Sequence, residues 1–291
     1  MKEILQKIRK FEIQIRKVID TQMQGDYHSV FKGTGLEFND VREYQYGDDV
    51  RTIDWNVSAK GDGTYVKTFK EEKEQTVFFL LDVSASQEIG NTQRKKLDVC
   101  REICGVLALS AVKEGSHVGA LCFSDKKEKY IKAGKGLHYA YRIITSIFTL
   151  KPASLKTNLN TAIYMALNII RRRSVIILIS DFIDQNYEHA LKALARRHDL
   201  VIVHVTDARE TNFPKLGIIP LYDKERGKTV WVNTSSAQFV GGLSEQFSQN
   251  KAQLESFCKK NQINYVAINT TEEYIPALIK MFRIRNKRSK A

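Results

Sequence analysis

Asp82, Ser84 and Ser86 stand at every second position in the stretch VFFLLDVSASQE (77–88), where an apolar run turns abruptly polar. The apolar half reads as a buried strand. A buried strand has no use for a carboxylate and two hydroxyls at its end unless something meets them. A second apolar run, SVIILISD (174–181), also ends in polar residues, Ser180 and Asp181. Thr157 lies in the loop ASLKTNLN (153–160), just ahead of a helical pattern. Two carboxylates and three hydroxyls form an all-oxygen set. Mg²⁺ takes such ligands in near-octahedral geometry and keeps part of its water, and Mn²⁺ accepts the same set. A cation also removes the cost of bringing Asp82 and Asp181 together, because like charges at one site oppose ionisation. The plainer reading is that Asp82 and Ser84 cap the following turn and that Asp181 is an ordinary loop residue.

The elements that would carry these residues alternate between strand and helix. After the strand ending at Asp82 come a helical pattern closed by Gly115, a strand pair (117–133), two helical patterns (136–150 and 159–173) and the strand ending at Asp181. A helix, the strand LVIVHVTD, an irregular stretch containing KERGKTVWV, a helix near 244–260, the strand NYVAIN and a last helix follow. Such alternation predicts an α/β fold with a doubly wound, mostly parallel sheet covered on both faces. Ligands of such sheets sit beyond the carboxyl ends of the strands, where the strand order reverses. With a Rossmann-type order 3-2-1-4-5-6 the first and fourth strands are neighbours, so Asp82 and Asp181 converge. The chain then divides into an N-terminal amphipathic helix (1–24) with an apolar stripe at Ile4, Ile8, Phe11, Ile15 and Val18, a β-rich segment (25–75), the α/β domain (76–282) and a basic tail (283–291).

Asp82, Ser84, Ser86, Thr157 and Asp181 together resemble the metal-ion-dependent adhesion site of von Willebrand factor A domains, with no departure from that pattern. The resemblance implies a Mg²⁺ or Mn²⁺ site with one coordination position open to an acidic residue of a protein partner. Upstream, VREYQYGDDVRTIDWNVSAKGDGTYVKTFKEEKEQ (41–75) resembles the signature of the bacterial family called domain of unknown function 58, through Arg42, Tyr44, Gly47, Asp48, Asp49, Arg51, Ile53, Asp54 and Trp55. That family is associated with MoxR-type AAA+ ATPases, which implies chaperone-like assembly or maturation of protein complexes. The segment 42–55 itself reads either as a fold-defining knot, with Arg42 and Arg51 paired to the aspartates over packed Tyr44, Tyr46 and Trp55, or as a partner-binding surface.

Composition bounds the alternatives. The chain has 291 residues and a formal net charge of +13, which permits a nucleic-acid or membrane-surface role. No helix-turn-helix, zinc-finger or aromatic stacking motif accompanies the charge, and peripheral membrane contact through the N-terminal helix stays open. The four cysteines form no CxxC pair, so they read as reduced thiols. No signal-peptide pattern and no run of roughly 20 apolar residues is present, which points to the cytoplasm. A metal-dependent hydrolase of phosphoryl substrates is the enzymatic alternative, but Ser84 stands where a second acidic residue would be needed and no P-loop spacing occurs. The expectation is therefore a non-enzymatic, metal-dependent protein interaction module.

Overall fold

The computed structural model describes residues 33–290, apart from 62, 74, 92–93, 212–213 and 225–226. The amphipathic helix expected at 1–24 lies outside the described residues. The first unit is a two-stranded antiparallel sheet of β1 (Gly33–Glu43) and β2 (Tyr65–Lys73), with the single-turn helix α1 (Trp55–Ser58) between them. Arg42 forks onto Asp48 at 2.8 and 2.7 Å, and Asp54 accepts from the backbone N–H groups of Asn56 and Val57 to start α1. The knot is thus partly built as expected. Two of its three aromatics depart from the expectation: Tyr44 is half-buried, but Tyr46 is fully exposed and Trp55 is 69% exposed, so neither of these packs beneath the charges.

The remaining elements form one α/β unit. Strand β3 (Thr76–Asp82) is followed by α2 (Lys96–Lys113), β4 (His117–Phe123), β5 (Lys127–Gly134), α3 (Leu137–Thr149), α4 (Leu159–Ile169) and β6 (Val175–Ser180). Then come α5 (Glu188–Arg197), β7 (Asp199–Thr206), the hairpin β8 (Ile218–Asp223) and β9 (Lys228–Asn233), α6 (Ala237–Lys260), β10 (Asn264–Asn269) and α7 (Tyr274–Lys290). The main sheet runs β10-β7-β6-β3-β4-β5. Counted along this unit the order is 3-2-1-4-5-6, as expected, and only the β4–β5 pairing is antiparallel. The antiparallel edge follows from the short connection between β4 and β5, which leaves no room for a crossover helix.

The strands β3 and β6 are apolar without alternation because both faces of the sheet are covered. Val77, Phe79 and Leu81 pack with α2, α3 and α7 on one face, while Phe78 and Leu80 pack with α4, α5 and part of α6 on the other. Helix α2 is buried nearly all round, and Gly115, at φ 78°, turns the chain into β4. In α7 the backbone stays helical through the basic stretch that begins at 283. No helix of the described residues is long and apolar enough to cross a membrane.

All four cysteines are free and buried, and burial pushes Cys122 and Cys258 up to about 12. Thiols in that state are inert. Native protein is therefore expected to react with Ellman's reagent at well under one thiol per chain, and at four per chain in denaturant. Fast labelling of one thiol in the native state would contradict this burial.

Candidate metal centre

Strands β3 and β6 lie side by side in parallel register, Leu81 opposite Ile179, so Asp82 and Ser180 come to the same edge of the sheet. There the chain leaves β3 in a short 3-10 turn (Ala85–Glu88). Asp82 is fully buried, and its carboxylate is met on both oxygens. Oδ1 accepts from the Ser84 backbone N–H at 3.0 Å and the Ser84 hydroxyl at 2.6 Å. Oδ2 accepts from the Ser180 hydroxyl at 2.6 Å and, at 3.4 Å, from the Gln87 amide. The Cys100 thiol holds Gln87 from behind at 3.6 Å. This network includes the turn-capping bonds of the plainer reading and extends beyond them, since Ser84 Oγ and Ser86 Oγ are hydrogen-bonded at 3.0 Å.

Asp181 follows β6 directly. Its Oδ1 accepts from the Ile183 backbone N–H at 3.2 Å, and the Ser86 hydroxyl also bonds its carboxylate. Phe182 takes φ 53°, a conformation costly for a bulky residue, and its backbone N–H returns to Ser180 Oγ at 3.1 Å. Across that left-handed step the Ile183 backbone N–H comes back to the Asp181 carboxylate. Thr157 is half-buried in the loop before α4, which a bond from the Ala85 backbone N–H to the Leu155 carbonyl (2.9 Å) ties to the serine turn. Asp82, Ser84, Ser86 and Asp181 are thus joined in one network, and Thr157 follows two residues after the Leu155 carbonyl that ties its loop to the serine turn.

The residue that sequence reasoning missed is Lys96. Its side chain is completely buried; Nζ lies 2.6 Å from Asp181 Oδ2 and also donates to Glu210 Oε1. Burial works against this ammonium, yet the two carboxylates outweigh burial and hold its pKa above the usual lysine value. Burial likewise pushes Asp181 up, but Lys96 and the hydrogen bonds around it bring the net shift below the usual carboxylate range. Asp82 has no such partner: burial first, and then the neighbouring Asp181 charge, push it up to about 6. A signal for Lys96 was present in the sequence. A lysine at the first position of a helix sits against the helix dipole, so in an otherwise buried helix it calls for an acidic partner.

The donor set fits a hard divalent cation. Oxygens on neighbouring positions of an octahedral Mg²⁺ shell lie about 3 Å apart, given bonds of ~2.1 Å, and Ser84 Oγ and Ser86 Oγ match that spacing. Asp181 and Glu210 share one buried ammonium, and the buried Asp82 beside them has no cation of its own, a charge that a divalent cation would offset. Among the described residues no group of three His, Cys, Asp or Glu side chains could hold a metal ion, so such a site depends on its hydroxyls. Access would be from the Ser86 side, since Ser86 lines an open groove of about 1120 Å³ whereas Asp82 and Ser84 are sealed.

A family model described as "Protein of unknown function DUF58" matches residues 40–253. The uncharacterized protein Rv1480 of Mycobacterium tuberculosis is 29% identical over 223 residues, covering 76% of this chain and 70% of that protein. The uncharacterized protein Mb1516 of Mycobacterium bovis matches to the same extent. Among solved structures, the conserved hypothetical protein BatB from Bacteroides thetaiotaomicron aligns with a TM-score of 0.49 at 16% identity, over 75% of this chain and all of that one. The SpRpn10 VWA domain aligns with a TM-score of 0.39 at 12% identity, over 71% of this chain and 93% of that one.

Proposed function

The chain belongs to the DUF58 family, and from that premise we propose that it is a non-enzymatic interaction module whose binding of a protein partner depends on Mg²⁺ or Mn²⁺. Asp82, Ser84, Ser86, Thr157 and Asp181 would hold the ion, by their own oxygens or through water. When bound, the ion supplies a Lewis-acidic position for a partner's Asp or Glu. The observation that carries this reading is the paired hydroxyls of Ser84 and Ser86, 3.0 Å apart beside two buried carboxylates, with Ser86 lining an open groove. The partner class that the family resemblance implies is a MoxR-type AAA+ ATPase or its client, in assembly or maturation of protein complexes.

The residues around the site bind and orient; none is set up to attack a substrate. Ser84 is buried and donates its proton to Asp82, and the Cys100 thiol is pushed well up by burial. The protein with Mg²⁺ or Mn²⁺ is accordingly expected to hydrolyse p-nitrophenyl phosphate no faster than buffer. A rate that follows the protein and vanishes in Asp82→Asn would favour the hydrolase alternative.

Metal binding has a direct thermodynamic reading. A ligand that binds only the folded state at 100 times its Kd adds about 2.7 kcal/mol, which for a chain of this size raises Tm by roughly 5–10 °C. Millimolar Mg²⁺ or Mn²⁺ is expected to produce such a rise in the native chain and little or none in Ser86→Ala. Equal responses from the two proteins would place the metal elsewhere.

A further inference from the structure

We propose that the groove running from Ser86 to the β8–β9 hairpin docks an extended segment of a protein partner, one that carries a bulky apolar side chain flanked by Lys or Arg. Only the Ser86 end of this proposal rests on the metal-dependent reading; the remainder stands on the groove's own walls.

The hairpin supplies the apolar part. Along β8 exposure alternates, with Ile218, Pro220 and Tyr222 outward. The register sets Pro220 opposite Trp231, so Trp231 shares that outward face, diagonal to Tyr222. Ile218, Tyr222 and Trp231 are 67%, 64% and 68% exposed. Large side chains gathered on one open face, with Tyr and Trp among them, have the make-up of an interface centre. Tyr222 also lines the groove, so the hairpin face and the groove are one continuous surface that ends at Ser86. The hairpin is held against the serine turn by an ion pair between Lys224 and Glu88. Strands β8 and β9 form a sheet of two, with no third strand among the described residues. Each therefore keeps an edge on which an extended segment could pair.

Charge selects the occupant. Five charged side chains line the groove, and four are acidic: Glu88, Asp184, Glu188 and Asp223. The fifth, Lys224, pairs with Glu88, which leaves Asp184, Glu188 and Asp223 as the acidic excess. An acidic rim on a chain of net charge +13 is a local inversion, and complementarity at an interface works through such inversions. It rejects nucleic acid and acidic segments along the groove while leaving the Ser86 end free to receive one carboxylate through a metal ion.

The test uses the one reporter already in place. The chain has two tryptophans, Trp55 and Trp231, so Trp55→Phe leaves Trp231 alone. Phage-displayed random dodecapeptides would be selected on the full chain in Mg²⁺, and the enriched peptides synthesised. The expected peptides combine Lys or Arg with an aromatic or aliphatic residue. They should shift Trp231 emission to the blue and lose at least tenfold in affinity with Tyr222→Ala, with Trp231→Ala and with Glu188→Lys. If they bind equally well in EDTA, the groove stands on its own walls, independently of the metal-dependent reading. Mg²⁺-dependent binding that ignores all three substitutions leaves the metal-dependent reading intact and overturns the groove. Enrichment of acidic peptides, or of none, overturns it as well. So does sedimentation showing that Trp231→Ala turns a dimer into a monomer, because the occupant is then a second copy of this chain.

Discussion

Replacing Lys96 with Met is expected to lower the free energy of unfolding by about 3–5 kcal/mol, the usual cost of removing one partner from a buried ion pair. Lys96 is wholly buried between Asp181 and Glu210, and both carboxylates lie beneath the surface with it. Met matches the length of the stem but leaves two buried anions facing each other and the Asp82 charge. The loss should therefore be mostly electrostatic. That makes a specific forecast for the double variant Lys96→Met, Glu210→Gln. It removes one anion along with the cation, so it should be more stable than Lys96→Met alone despite carrying a second substitution. Urea denaturation followed by circular dichroism on the four proteins of this cycle gives the coupling directly. A loss below about 1 kcal/mol in Lys96→Met, or no recovery in the double variant, would show that the ammonium is not held in this buried pair.

The second large effect is on acid stability, through His204. It is 6% exposed on β7, and its Nδ1 lies 2.9 Å from the Tyr265 hydroxyl. Burial above all, with Lys251 and Lys96 nearby, lowers its pKa from 6.5 to about 4, against an opposing pull from Asp181. A histidine depressed in the folded state is protonated more readily in the unfolded chain. Its neutral form therefore contributes stability that is full above pH 6.5 and is lost as pH falls toward 4. The shift corresponds to about 3 kcal/mol. Asp82 works in the opposite direction, because its raised pKa lets the folded state take up a proton first as pH falls through about 6. The native curve alone mixes the two, so the comparison must be with His204→Gln. Measured by urea at pH 7 and pH 4.5, the native chain should lose about 2–3 kcal/mol relative to that variant. Parallel curves would mean that His204 titrates normally.

Much of this architecture was legible in the residues. The unbroken apolar runs of β3 and β6 could only be strands covered on both faces, and their polar ends marked the edge where Asp82, Ser84 and Asp181 meet. The β8–β9 hairpin was less legible. Pro220 sits inside β8, and a proline in an apolar run argues against a strand unless the strand is at an edge, which is where β8 lies. Helix α6 begins at Ala237 rather than near 244 because Ser236 caps it, its hydroxyl accepting from Phe239 N–H at 3.4 Å. Gly241 and Gly242 lie inside its first turns, where each glycine costs a helix only about 1 kcal/mol. The Lys96–Glu210 pair joins residues 114 positions apart, and no local pattern announces such a contact. Tyr46 and Trp55 were misplaced for a simpler reason: an aromatic residue between charges is as consistent with exposure as with packing.

Manganese binding tests the central reading most directly. Electron paramagnetic resonance of Mn²⁺ titrated into the native chain should show one bound ion per molecule, and water-proton relaxation should show that the ion keeps at least one exchangeable water. Ser86→Ala and Asp82→Asn should each lose that binding while remaining folded by circular dichroism. If Mn²⁺ does not bind, or binds the native chain and Ser86→Ala alike, the oxygen cluster at the ends of β3 and β6 is not a metal site, and the metal-dependent function is wrong.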